Sequence, residues 1–232
     1  MRRTLALIGA VACLAAAPAL AQNAATDTTE TYDLLFKDGT LDEVPDESTL
    51  IYDRTVANRA KAEAAERDTG RIALSFEQRE DTEIANLMFL QDGKHRNLGS
   101  FPASVGNPMI MYFYEAVVRD MAETAGGSPF YIRNRMKDAL TVPGEVIDGI
   151  ATWQGEDIET QTVTLRPFEG DPNRAQMSGF GDLALTVTMS EEVPGWYLSL
   201  SAEAPHPDGG DPIYRSEMRL DGIENTAAEA AQ

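Results

Sequence analysis

The feature that most constrains this chain is a strict two-residue alternation in its last third. Leu183, Leu185, Val187 and Met189 alternate with Ala184, Thr186 and Thr188, the pattern of a strand with one face on a core and the other in water. Glu191 to Gly195 reads as a turn, after which Trp196, Leu198 and Leu200 alternate with Tyr197, Ser199 and Ser201. Beyond the turn-rich Pro205 to Pro212, the set Tyr214, Ser216, Met218 and Leu220 opposes Ile213, Arg215, Glu217 and Arg219. Three such runs in succession, with no crossover helix between them, predict an antiparallel meander.

The first third repeats the theme. Leu50 to Val56 and Arg71 to Gln78 carry period-2 patterns, and Glu83 to Gln91 leads through Asp92-Gly93 into Lys94 to Leu98. Asp-Gly between two strand-like runs signals a type I′ hairpin, whose two central residues need positive φ. Between the first two of these runs, Asn58 to Asp68 lacks an apolar stripe and reads as an exposed helical turn or polar loop.

The middle changes period. Asn107-Pro108 supplies an N-cap followed by proline, and the run Met109 to Glu123 reaches Gly126-Gly127 as a stop. Ile110, Phe113, Tyr114, Val117 and Met121 form a helical stripe that Met109, Tyr112 and Ala116 widen past half the circumference, so this helix is expected to be mostly buried. Ser128-Pro129 starts a second helix, with Ile132, Met136, Ala139 and Leu140 on one side and Arg133, Arg135 and Lys137 on the other, ended by Val142-Pro143-Gly144. Strands resume at Val146 to Trp153 and Glu159 to Pro167. The expected fold is therefore α+β, mainly antiparallel β: a curved meander sheet or half-barrel of about nine or ten strands with a two-helix insert packed on it.

The amino terminus sets the compartment. Arg2-Arg3, an apolar stretch from Leu5 to Ala17, and Ala19 and Ala21 ahead of Gln22 read as a secretory signal peptide cleaved after Ala21. The apolar stretch is shorter than the ~20 residues a membrane span needs, and Arg2-Arg3 lacks the extended twin-arginine motif. Cleavage removes two arginines and the only cysteine, so the formal charge of -19 becomes -21. A cysteine-free exported chain has no disulfide and no thiolate chemistry, and its stability must come from its core. Residues 22–31 read as a disordered leader, 32–223 as one globular domain and 224–232 as a disordered tail. The acidity argues against nucleic acid and anionic membrane surfaces as partners.

Motifs for chemistry are sparse. His95 and His206 are the only histidines; His206 with Asp208 and Asp211 lies among Pro207, Gly209, Gly210 and Pro212, a surface loop rather than a metal site. Asp42 to Glu47 lacks calcium-loop spacing. Gly179-Phe180-Gly181-Asp182-Leu183-Ala184 matches a dinucleotide fingerprint in letters only, because a strand follows where a helix is required. No cofactor and no metal is expected.

A curved sheet around a helix rich in aromatic residues and methionine makes an apolar interior, and adaptable side chains such as Met109, Met111, Met121 and Met136 tolerate varied apolar ligands. The candidate ligand-binding residues are Met109, Phe113, Val117, Met121, Met136 and Trp196. In outline this architecture is similar to the half-barrel lipoprotein carriers of the bacterial periplasm, which cover a curved sheet with helices; the likeness is one of architecture, and no motif carries it. The first functional expectation is an exported periplasmic, non-catalytic binding protein for an apolar small molecule or lipid. The second is a structural or protein-interaction module of the envelope using Arg133, Arg135 and Lys137 as a basic patch in an acidic field. The third, well behind, is a hydrolase with two carboxylates about 5–10 Å apart across a cleft.

Overall fold

The computed structural model describes residues 28–45 and 47–225. Among the described residues, nine strands form one open antiparallel sheet, flanked by four α-helices. In chain order the elements are α1 (Thr28–Leu35), β1 (Ser48–Asn58), α2 (Ala62–Asp68), β2 (Gly70–Arg79), β3 (Thr82–Gln91), β4 (Lys94–Pro102), α3 (Met109–Ala125), α4 (Pro129–Ala139), β5 (Val146–Trp153), β6 (Glu156–Leu165), β7 (Ala184–Met189), β8 (Tyr197–Ala204) and β9 (Tyr214–Asn225).

The sheet order is β4-β3-β2-β1-β9-β8-β7-β6-β5. Two meanders, β1 to β4 and β5 to β9, are joined where β1 meets β9 from Ser48↔Asn225 to Asn58↔Tyr214, with a bulge between Ile51 and Tyr52. The helical insert links the two open edges, β4 and β5. Pairing of sequential strands accounts for this topology, since each hairpin closes with little loop entropy.

Inward positions follow the alternation. Tyr52, Arg54 and Val56 of β1, Leu185 and Val187 of β7, Leu200 and Ala202 of β8, and Met218 and Leu220 of β9 are buried. Phe113, Val117 and Met121 of α3 fill the space they enclose, each such side chain stabilising the fold by ~1.5–3 kcal/mol. Asp92-Gly93 turns β3 into β4 with φ of 50° and 70°, as a type I′ hairpin requires. Gln154-Gly155 does the same for β5 and β6, with φ of 51° and 87°.

Three expectations change. Residues 28–31 belong to α1 rather than to a leader: Thr31 is fully buried and its Oγ1 accepts the amide of Gly144. Residues 22–27, like the signal peptide, lie outside the described residues. Glu224 and Asn225 are not tail but the end of β9, paired with Thr49 and Ser48; residues 226–232 are again outside. The stretch between β1 and β2 is a short helix, α2, with Ala65 and Asp68 buried. Asn58 caps its approach by accepting the amides of Ala60 and Lys61, a local bond that apolar periodicity does not reveal.

Candidate functional site

Alternation along β1 places Arg54 on the apolar face, where a guanidinium survives only if it is paired. It is 1% exposed. Its Nη1 donates to the Tyr112 hydroxyl at 3.1 Å and its Nη2 faces Asp120 Oδ2 at 3.4 Å; the Tyr214 hydroxyl donates to the same oxygen at 2.7 Å. Burial pushes the Asp120 carboxyl above its ordinary value, against the opposing pull of Arg54 and Tyr214. Burial and then the Asp120 charge hold the Tyr214 hydroxyl well up, so it stays protonated and donating. Asp68, on α2, is pushed up by burial, but the hydrogen bond from Arg67 and the charges of Arg54, Arg67 and Arg119 outweigh this and leave it lowered. A shifted carboxyl in a cleft would suggest catalysis. The space beside Asp120, between α2 and α3, is only about 10 Å³, so this is a sealed structural network.

A second set of bonds ties α1, the start of α3 and the turn before β8 to the sheet. Asn107 caps α3 by accepting the Met109 amide, while its Nδ2 donates to the Gly195 carbonyl at 2.7 Å and to the Tyr52 hydroxyl at 3.3 Å. Trp196 and Tyr197 donate to the Leu34 and Leu35 carbonyls at 3.0 and 2.6 Å, pinning the last turn of α1. Trp196 does this with φ of 77°, a conformation that is an outlier for a bulky residue. The Lys37 ammonium lies 4.3 Å from the centre of the Trp196 ring and pairs with Glu191 at 2.5 Å.

The residues singled out from sequence divide accordingly. Met109, Phe113, Val117 and Met121 of α3 and Met136 of α4 are buried in the core, and none of them lines an open cleft among those found in the described residues. Trp196, equally buried, does border open space, standing between two neighbouring clefts. Met111 is half exposed. On α4, Arg133 clasps Glu115 of α3 through two bonds of 2.6 and 2.7 Å and holds that carboxyl below its ordinary range. Arg135 pairs with Asp138, leaving Lys137 exposed beside two neutralised arginines. His206 Nδ1 accepts the Asp208 amide, and Asp211 pairs with Arg59.

Of the open features among the described residues, two bear on the functional expectations. The larger is a cleft of about 990 Å³ between the β5–β6 hairpin and the turn after β7, lined by Asp148, Ile150, Asp157, Glu159, Glu191, Glu192 and neighbours. Asp148 accepts from Gln161, Asp157 from the Thr152 hydroxyl and Glu192 from the Glu159 amide, while Glu191 is bound to Lys37. Four of its five carboxylates thus have local structural partners, which lends nothing to a hydrolytic pair. Among the described residues no cluster of His, Cys, Asp and Glu is suited to a metal ion.

The smaller feature is an apolar notch of about 130 Å³ where α1, β4 and the start of α3 converge. Phe36, Phe101, Val105, Ile110, Met111 and Tyr197 line it, and Val105 and Met111 remain 66% and 50% exposed. Tyr32 stacks against Phe36 at 4.8 Å and extends the patch. The sequence signal for the notch was weak. Phe36 sits in the turn that follows α1 and Val105 in a single 3-10 turn, stretches too short for apolar residues to show a period.

No protein-family model matches this chain, and neither does any curated protein. Among solved structures, the Mycobacterium tuberculosis lipoprotein LppX is similar with a TM-score of 0.32 and 8% identity, over 82% of this chain and 93% of that one. A likeness at that level carries no argument about function. Among the described residues no helix is long and apolar enough to cross a membrane.

Proposed function

We propose that the protein is exported to the periplasm after cleavage behind Ala21 and works there as a non-catalytic binding protein for the apolar end of a small or lipid-like molecule. The observation that carries this reading is the notch itself: apolar side chains from three elements converge there, and Val105 and Met111 stay open to water. Exposed apolar groups gathered around a concavity, rather than scattered singly, are what an interaction site leaves on a surface.

The size of the notch limits the ligand. An apolar cavity of about 150 Å³ holds a benzene molecule, so a notch of about 130 Å³ takes one ring or one branched chain end. It does not enclose a whole acyl chain. The ligand is met at the rim of the molecule and not beneath the helices, because Phe113, Val117, Met121 and Met136 already occupy that volume.

Titration of the mature protein with cis-parinaric acid, read by its fluorescence, tests the reading. Saturable enhancement is expected for the natural protein and for Val142→Glu, a change at an exposed apolar residue away from the notch. Met111→Glu should weaken binding about tenfold or more by placing a charge on the apolar wall. Equal binding by Met111→Glu, Val105→Glu and the natural protein would show that the notch is not the site.

A further inference from the structure

An open sheet has two edges, and this one treats them differently. The β4 edge is blunted. Its register against β3 shifts between Leu87 and Met88, it ends on Pro102, and it exposes Lys94, His95 and Arg96. Bulges, proline and lysine are the usual means of keeping a strand edge from recruiting another chain.

The β5 edge has none of these. Eight residues, Val146 to Trp153, pair with β6 in unbroken register from Val146↔Val163 to Trp153↔Glu156. The strand contains neither proline nor lysine, and Ile147 and Ile150 are 51% and 67% exposed on its two faces. Every second residue of an edge strand turns its N–H and C=O away from its partner. At the hairpin tip, Arg219, on the solvent face of β9, donates to the Thr152 carbonyl at 3.1 Å and holds the hairpin in place. The stretch from Ile147 to Ile150 is left exposed.

Charge selects what can add to this edge. Asp148 and Ile150 lie on the face that borders the cleft of Asp157, Glu159, Glu191 and Glu192. The nearby cation, Lys37, is already taken by Glu191. Pairing β5 with β5 of a second copy would bring two such carboxylate sets together, on a chain whose formal charge is -19, and like charges across a strand pair are destabilising. A basic strand meets the opposite situation. Its main chain completes the ladder, its lysines or arginines on one face reach Asp148 and Glu159, and its aliphatic residues on the other face cover Ile147 and Ala151.

We propose that the exposed β5 edge takes up an extended segment of a partner protein as a tenth strand, with basic residues on the cleft side and aliphatic residues on the other. This site is separate from the apolar notch and does not depend on it. The acidic cleft has two roles in the arrangement: it repels another β5 edge, and it gives a basic segment its register.

The test uses a blocked ten-residue peptide of alternating lysine and valine, the same peptide with glutamate in place of lysine, and the lysine peptide N-methylated at alternate backbone amides. Calorimetric titration into the mature protein should show saturable binding of the first alone. The N-methylated peptide keeps the charge but cannot extend the ladder, and should bind at least about tenfold more weakly. Ile150→Lys and Asp148→Lys should each weaken the lysine peptide by about tenfold or more, while Met111→Glu leaves it unchanged. Equal binding of the N-methylated peptide, or of the natural protein and both β5 variants, would overturn the proposal. So would sedimentation showing that the natural protein self-associates and that Ile150→Lys abolishes this, since the occupant would then be a second copy.

Discussion

Beneath α3 and along the β5–β6 hairpin, acidic side chains lie close to apolar ones, and the chain deals with them in opposite ways. Under α3, Asp120 is enclosed with Arg54, Tyr112 and Tyr214, and the surrounding volume is filled by Phe113 and Val117. At the hairpin, Asp148 and Glu159 border an open cleft and Ile150 faces water. In the first region every charge must have a fixed partner, because desolvation leaves no alternative. In the second, water screens the charges, and they remain available to something that arrives later. The centre is therefore fixed by its partners, while the hairpin leaves its carboxylates at the edge of open solvent.

The comparison can be broken at the centre first. Phe113→Ala should cost ~3–5 kcal/mol, through lost burial and the cavity left behind, measured as a lower urea midpoint with an unchanged slope. A loss below about 1 kcal/mol would mean that the interior is not closely packed there and that the contrast with the hairpin is overstated.

Asp120→Ala comes next, at ~3 kcal/mol, because it leaves the Arg54 guanidinium buried without its counter-charge. The isosteric Asp120→Asn adds a pH signature. The Asp120 pKa is raised in the folded state, so burying its ionised form costs stability once the pH passes above the folded pKa, and that cost is absent below the ordinary carboxylate value. The deficit of Asp120→Asn relative to the natural protein is therefore largest in acid and shrinks as pH rises, read from denaturant midpoints at several pH values. A deficit that grows with pH would mean that Arg54 and Tyr214 outweigh burial.

The smallest effect is expected at the hairpin. Ile150→Lys and Asp148→Lys should each change stability by no more than about 0.5 kcal/mol, although both are expected to weaken capture of a basic strand by about tenfold or more. A large loss of stability at either position would place the hairpin in the structural core of the molecule and remove the basis for treating it as a contact surface.

Much of the fold was legible because it depends on local periods. Leu183 to Met189 and Tyr214 to Leu220 alternate as strands must, and Asn107-Pro108 and Ser128-Pro129 mark the helix starts within a residue. The α1 helix escaped notice because Thr28 to Leu35 spans only two turns, and its docking depends on Trp196 and Tyr197, which lie 162 residues away in the chain. The candidate sites fared differently. Met109, Phe113, Val117, Met121 and Met136 are apolar, and the apolar surface that would suit a ligand equally suits a close-packed core. Arg54 could have been noticed from parity alone, as the charged residue on the inward face of β1. The notch gave no periodic signal, because Phe36 and Val105 come from single turns too short to show one.

Sequence by itself determined the antiparallel meanders, the two-helix insert, the acidic balance and the absence of cysteine downstream of the apolar amino-terminal stretch, since each rests on composition or on a period a few residues long. Only the tertiary structure decided that the insert fills the interior instead of lining a cavity, that Arg54 meets Asp120, and that one sheet edge is blunted while the other stays open. Those outcomes depend on side-chain volumes summed across elements and on partners 66 residues apart, and a local pattern carries no record of which distant residues will meet.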